Sequence, residues 1–436
     1  ITTQSIFGNL LHAYTIREAI SDHNVLGFKV DFNTTLTDET LRNVYLPEFY
    51  RYQHNDWTTD QIQYKIDHLS DEDRDDMVKS SVYDENDDHV KLVVDDIFTK
   101  WRNRSVNYRY SALLTTHVGG GKPSTPMALK YYHEILRRNQ TASHPLKVAV
   151  TFSQDTSNGD NMTESNKGLH DAMQTYAAEF GGVYGDDDVK SYTESVVSRL
   201  NRTVDDGNYL DLVIVIDQLL TGFDAPYLNT LYVDRTLQGA NLIQAYSRTN
   251  RIQDMQQKPY GRVINYRWPA QAEKLMKDAL KVYADRNSAA VQTDLPGFGD
   301  DGDVIAPDFE QVEKQTAKIV EQLDEMTQGF ETIPNTLDEN QKIYQLIQQY
   351  NQKVALLKQD DNYDYEKPDE LLKGIGISSD EEVRLTTTIA NNVKDFIVAR
   401  HPDIDYGDFD LQMEHVNEVQ VDYAYLEQLI AELLNQ

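Results

Sequence analysis

The residues with the most chemical promise lie in two short segments. One is Leu242-Ile243-Gln244-Ala245-Tyr246-Ser247-Arg248-Thr249-Asn250-Arg251. Read as a helix, it sets Gln244, Arg248 and Arg251 at i, i+4 and i+7 on one face, with Leu242 and Ala245 turned elsewhere. Two guanidinium groups and an amide on one stripe suit a triphosphate whose charge develops during hydrolysis. A solvated arginine face making ordinary ion pairs is the other reading of this segment alone. The second segment runs from Val213 to Pro226. Its apolar strand Val213–Ile216 leads to a Thr221-Gly222 turn and then to Asp224, a carboxylate read as lying just beyond the strand's C-terminal end. In open α/β sheets ligands bind along that edge. Gly222 would let a phosphate backbone approach closely, and the Thr221 hydroxyl could donate to a phosphate oxygen. A purely structural turn uses similar residues.

A third candidate, Gly119-Gly120-Gly121-Lys122, follows a strand and precedes a helix. A phosphate-cradling loop needs G-x-x-x-x-G-K-[ST]. Here Thr116 stands where the first glycine belongs, and Pro123 replaces the hydroxyl residue that would hold magnesium. Proline also removes a backbone donor. The stretch reads better as a mobile surface loop. No apolar strand ends in an Asp-Glu pair either, since Asp71-Glu72 and Asp84-Glu85 sit in polar sequence.

The elements that must carry these residues are legible in outline. Thr15-Ile16-Arg17-Glu18 fits a capping box opening a helix to about Ser21. Leu26, Phe28, Val30 and Phe32 alternate with Gly27, Lys29 and Asp31, which predicts a strand with one buried face. Residues from about 37 to 105 are polar, Asp-rich and helix-leaning, and read as a helical insertion. From about 109 to 267 strands and helices alternate: strands at 112–116, 148–152, 212–216, 231–233 and 263–266, and helices after Thr125-Pro126 and over 169–180, 195–200 and 242–249. Continuous apolar strands separated by helices predict a parallel sheet covered on both faces. Residues 288–307 are rich in Gly, Asp, Ala and Pro and read as a linker. Beyond them only helical periods appear, through Phe309–Leu323, Ile343–Leu357, Val383–Ala399 and Tyr425–Leu434.

Composition narrows the classes. The chain has 436 residues, enough for two or three domains, and its 39 % apolar and 26 % charged content excludes wholesale disorder. No run of 18 apolar residues offers a membrane span, and no secretory leader is evident. Cysteine is absent, which excludes disulfides and cysteine-held metals and suits the cytosol. The net charge is −31. Acid on that scale argues against a coat for nucleic acid, so DNA contact must be a local path or shared with another domain. The acid serves either solubility or the docking of a partner.

Taken together, the two arginine- and threonine-bearing segments resemble motifs VI and V of superfamily 2 helicases and translocases, in the usual order. Lys147–Gln154 resembles motif IV, the first strand of the same RecA-like domain. Phe7-Gly8-Asn9, Tyr14-Thr15-Ile16-Arg17-Glu18-Ala19-Ile20, Val25-Leu26-Gly27-Phe28, Tyr192-Thr193-Glu194-Ser195 and Leu219–Pro226 narrow the resemblance to the restriction (R, motor) subunit of type I restriction–modification enzymes. The resemblance covers residues 1–285, and the helical tail more loosely.

It implies a RecA-like parallel sheet with helices on both faces over 1–285, interrupted by the insertion at 37–105. A linker at 286–307 and an all-α C-terminal domain at 308–436 would follow. It implies a chain that starts after motif III, without the nuclease, the Walker A lysine or the Walker B carboxylates. ATP and Mg2+ would then be held mainly by a first motor domain. Arg248 and Arg251 would face the γ-phosphate, with Gln244 supporting them. Gly222 and Asp224 would couple the nucleotide cleft to DNA, and Thr221 and Ser153 would touch the DNA backbone. Ser247 stands where many superfamily 2 proteins have glycine. The implied partners are double-stranded DNA, the methyltransferase (modification) subunit, docked by the helical domain, and the specificity subunit, with no membrane and a cytoplasmic setting. Two other classes stay open: a non-catalytic module for complex assembly, and an autonomous nucleotide-binding enzyme using Gly119–Lys122.

Overall fold

A computed structural model describes residues 14–400 and 416, apart from 117, 120, 121, 124, 153–159, 221, 223, 256 and 284–303. The chain divides into two compact units, Ile1–Pro307 and Asp308–Gln436.

The first unit is built on six parallel strands: β1 (Gly27–Phe32), β2 (Ser111–Thr116), β3 (Val148–Thr151), β4 (Leu212–Val215), β5 (Leu228–Asp234) and β6 (Tyr260–Asn265). Their order across the sheet is β1-β6-β5-β2-β4-β3. Every residue of β2, β3, β4 and β5 is buried. Successive strand side chains point to opposite faces, so both faces of the central sheet are covered. The fold is the RecA-like α/β architecture with a helical insertion and helical C-terminal material.

Helices supply the cover. The first, α1 (Ile16–Ser21), opens on the capping box read from sequence: Thr15 Oγ1 accepts from the Glu18 N–H, and the Glu18 carboxylate accepts from the Thr15 N–H at 2.8 Å. The insertion between β1 and β2 contains α2 (Leu46–Gln53), α3 (Thr59–Asp67), α4 (Asp71–Met77) and α5 (Asp87–Arg104). Two small apolar clusters of its own hold it, one around Leu46, Tyr50, Ile62 and Ile66, the other joining Leu36, Val78 and Tyr83 to Trp268. Then come α6 (Thr125–Asn139), α7 (Asp160–Phe180), α8 (Val189–Leu200), α9 (Gly239–Tyr246) and α10 (Pro269–Tyr283). Of these, α6 and α7 pack on β3, α8 on β4 and α10 on β1.

Three local expectations are corrected. The helix expected over 242–249 stops at Tyr246, with Ser247 as its C-cap and a turn beyond. At the surface loop expected over Gly119–Lys122, Val118 pairs with Pro123 and Gly119 with Lys122 in a short antiparallel ladder. Val304–Ala306, within the stretch expected as linker, lies along β1: the Phe28 N–H donates to the Val304 carbonyl at 2.8 Å and the Ala306 N–H to the Phe28 carbonyl at 2.7 Å. The sheet edge thereby gains partners for groups that would otherwise be unpaired.

The second unit is helical where described: α11 (Phe309–Thr327), α12 (Leu337–Gln359), α13 (Pro368–Ile375), α14 (Ser379–Val383) and α15 (Ala390–Val398), the last two joined by a π-helical stretch at Arg384–Ile389. The helix expected over Val383–Ala399 runs on through this stretch to Val398, widened at Arg384–Ile389. Tyr425–Leu434 lies outside the described residues.

Candidate functional site

Because all six strands are parallel, the sheet has two chemically distinct edges, and the candidate residues divide between them. The segment after α9 lies at the edge where strands begin. The Leu26 N–H, just before β1, donates to the Asn250 carbonyl at 2.8 Å, and Asn250 Nδ2 donates back to the Leu26 carbonyl at 3.2 Å. Tyr110, just before β2, donates its hydroxyl to Gln253 Oε1 at 2.6 Å. Thr249 closes the turn by donating to the Tyr246 carbonyl at 2.8 Å. It also lies hard against β6: a Cβ built on Gly261 would stand 2.6 Å from the Thr249 carbonyl carbon. Glycine is what lets this turn reach the sheet.

Arg248 and Arg251 emerge from that frame. Arg248 is half-buried, and its Nε donates to the Gln244 carbonyl at 3.3 Å. Arg251 is exposed, and its Nε pairs with Asp224 Oδ1 at 3.1 Å. Burial lowers the Arg248 pKa, and the neighbouring charge of Arg251 lowers it further against the pull of Asp224. Arg248 therefore feels both the opposing charge of Arg251 and the attracting carboxylate of Asp224. The gathering of Gln244, Arg248 and Arg251 is not the helical stripe read from sequence, because both arginines lie past the helix end. Gln244 is exposed on α9 and meets Arg248 through its backbone.

The segment after β4 crosses from one edge to the other. Asp217 stays where strands end: Arg235, just past β5, donates to Asp217 Oδ1 at 2.6 Å and to the Ile216 carbonyl at 2.9 Å. Seven residues on, Asp224 is at the opposite edge, just ahead of β5, so it is not the carboxylate at the C-terminal end of β4. Its backbone carbonyl accepts from Asn201 Nδ2, at the end of α8, at 2.7 Å. Gly222 sits on this crossing with φ of +85°, a left-handed conformation that favours glycine. Thr221 and Ser153 lie outside the described residues. Thr151 Oγ1 bonds Gln218 Oε1 at 2.7 Å and meets Thr193 Oγ1 at 3.2 Å, so the ends of β3 and β4 are tied to α8.

Two functional-looking features escaped the sequence reading. The first is Lys258, fully buried at the starting edge, whose Nζ donates to the carbonyls of Pro226 at 2.8 Å, Leu228 at 2.9 Å and Arg251 at 2.9 Å. Burial lowers its pKa to about 7, against the attraction of Asp224. The second is a buried ionic knot at the ending edge. Asp234 closes β5 and accepts from Arg267 Nε at 2.6 Å and Nη2 at 2.9 Å, while His89 Nε2 of α5 lies 2.8 Å away. Arg267 also donates to Asp84 at 2.7 Å. Burial would raise the Asp234 pKa, but Arg267 and His89 outweigh it and hold the carboxyl at about 2.

The arginine pair fits an anion: a phosphate would relieve the repulsion between the guanidinium groups. Among the described residues no group of three or more His, Asp or Glu side chains is placed to hold a metal ion. Among them, too, no helix is long and apolar enough to cross a membrane.

The six parallel strands with helices packed on them define an α/β domain. A family model described as type I restriction enzyme subunit R domain 3 matches residues 107–268. The endonuclease subunit of a type I restriction enzyme from Staphylococcus aureus is 32 % identical over 290 residues, covering 66 % of this chain and 27 % of the relative. A counterpart from Staphylococcus saprophyticus is 28 % identical over 376 residues, covering 84 % of this chain and 35 % of the relative. An ATP-dependent type ISP restriction–modification enzyme solved bound to DNA aligns with a TM-score of 0.35 at 11 % identity, covering 100 % of this chain and 28 % of that one. The chain belongs to the R-subunit family of type I restriction enzymes, and it spans about a quarter to a third of the length of these curated relatives.

Proposed function

We propose that this chain is part of the ATP-dependent DNA-translocating motor of a type I restriction endonuclease, and that Arg248 and Arg251 face the γ-phosphate of ATP. The observation that carries the reading is the arginine pair held beside Asp224 on a turn braced against three strand starts. Two neighbouring guanidinium groups beside one carboxylate are well suited to charge developing on a transferred phosphoryl group. The nucleotide and its Mg2+ would be held mainly by another motor domain of the subunit. The crossing from Asp217 through Gly222 to Asp224 joins the two sheet edges. It is therefore suited to couple the nucleotide side to double-stranded DNA at Thr221 and Ser153. Assembly with methyltransferase and specificity subunits in a cytoplasmic complex completes the proposal, with the helical second unit as the docking element.

The test is DNA-stimulated ATPase of the complete subunit in its complex. Arg251→Ala and Arg248→Ala are expected to lower the rate by about a thousandfold or more, as loss of an arginine finger does in related phosphoryl transfers. Near-normal ATPase in both variants would sink the assignment.

A further inference from the structure

We propose that Lys258 is a positioning residue for the arginine site: its ammonium clamps the carbonyls of Pro226, Leu228 and Arg251 and thereby fixes Arg251 and Asp224 relative to each other. The inference rests on the reading of Arg248 and Arg251 above and adds to it a residue outside both motif segments.

An ammonium has three hydrogens and no acceptor. Lys258 places all three on backbone carbonyls, at 2.8, 2.9 and 2.9 Å, and is fully buried. Two of these carbonyls lie 32 and 30 residues before the lysine and one lies 7 before it. The clamp therefore joins the crossing segment to the arginine turn. Asp224 is two residues from the clamped Pro226, and Arg251 is itself clamped. Their side chains then meet at 3.1 Å. The circuit closes on itself, from Lys258 to Pro226, to Asp224, to the Arg251 side chain and back through the Arg251 carbonyl.

The other restraints hold one segment each. Asn201 holds the Asp224 carbonyl, and Leu26 and Asn250 hold the turn. Tyr110 presents its ring face 5.8 Å from Nζ and packs over the clamp. Burying a full charge is expensive unless every hydrogen is placed. A turn needing only closure could use a neutral donor. A trivalent, cationic donor is what converging carbonyl dipoles from two separate segments require.

The experiment is steady-state ATPase of the complete subunit in its DNA-bound complex, comparing Lys258→Met with Arg251→Ala, after thermal melts confirm that each is folded. Methionine keeps most of the unbranched apolar stem, one atom shorter, and removes all three donors. If Lys258 positions the arginines, Lys258→Met lowers kcat by on the order of 100-fold, the scale of a 1 Å misplacement of a catalytic group. The KM for ATP stays within about twofold, since the nucleotide's main binding groups are elsewhere. A merely structural lysine would lower the melting temperature and leave kcat of the folded variant intact. That result, with Arg251→Ala inactive, overturns the positioning role alone. Normal activity of Arg248→Ala and Arg251→Ala overturns the reading of the arginines and the Lys258 role with it. Should Lys258→Met fail to fold, Lys258→Gln keeps two of the three donors and gives the same comparison, with a smaller loss of kcat expected and an unchanged kcat refuting the clamp.

Discussion

The Asp224–Arg251 pair is visible to solvent on both sides, with 70 % and 45 % of the side chains exposed. Exposed pairs of this kind contribute under about 1 kcal/mol to stability. Arg251→Ala should therefore barely move the unfolding midpoint while removing most ATPase. A large stability loss would instead mark the arginine as a structural salt bridge, so a urea titration beside the activity assay separates the two. Both arginines were legible because their types and spacing are unusual in an acidic chain. Lys258 was not. In Arg251-Ile252-Gln253-Asp254-Met255-Gln256-Gln257-Lys258 it reads as one more polar residue of a solvated loop. Its burial is decided by carbonyls some 30 residues upstream, and no local pattern encodes those. For the same reason the sequence suggested an arginine stripe on a helix. It could not show that Ser247 ends the helix and that Asn250 leaves to bond Leu26, 224 residues away.

Strand periodicity located the central strands, because burial on both faces imposes continuous apolar runs. The edges were less legible. Pairing of Val304–Ala306 with β1 depends on a return of the chain after more than 270 residues. The joining of insertion to sheet is equally hidden, although it rests on strong chemistry. Asp234, Arg267 and the neighbours Asp84 and His89 come from three separate stretches, and Asp75 of α4 accepts from the Ala270 N–H at 2.8 Å and so caps α10. Removing one member of a buried ion pair leaves an uncompensated charge and costs about 3 to 5 kcal/mol. Asp234→Asn should lose stability on that scale and loosen the insertion, read by urea unfolding and by faster amide exchange in α5. The pH dependence follows from the sign of the shift. Asp234 titrates at about 2 when folded and at 3.8 ordinarily, so its contribution is complete above about pH 4 and is lost as pH falls toward 2. That contribution, about 2 kcal/mol, should vanish from the acid limb of the stability curve in Asp234→Asn. At the starting edge, Gly261→Ala drives a methyl into Thr249. It should cost about 1 to 3 kcal/mol as overpacking does, and reduce ATPase by shifting the arginine turn. Unchanged activity in a folded Gly261→Ala would show that the turn tolerates displacement.

Across the whole molecule the net charge of −31 invites an electrostatic account of partner docking. The second unit divides its acid unevenly, however. In the cluster Asp380-Glu381-Glu382 only Asp380 is exposed. Glu381 closes a capping box, accepting from the Ser378 N–H at 2.8 Å. Glu382 is buried, and its Oε1 accepts from the Tyr350 hydroxyl at 3.3 Å and from the Val416 N–H at 2.5 Å. Glu382 therefore offers no charge for docking: sequence shows a run of charge but not which member turns inward to satisfy a buried tyrosine. The second acidic group, Asp403, Asp405, Asp408 and Asp410, lies outside the described residues. Reversing the whole Asp380–Glu382 cluster would unfold the unit rather than probe a surface. Glu382→Lys alone should cost several kcal/mol, because it buries a cation against donors that need an acceptor. Asp380→Lys should leave the unfolding midpoint within about 0.5 kcal/mol, as surface substitutions do. If acid on this unit steers a basic face of the methyltransferase subunit, Asp380→Lys slows association at low salt and flattens its dependence on ionic strength, measured by stopped-flow mixing from 50 to 300 mM salt at about those concentrations. An unchanged salt dependence with the fold intact would remove electrostatic steering at Asp380 and leave apolar helix faces as the basis of any docking there.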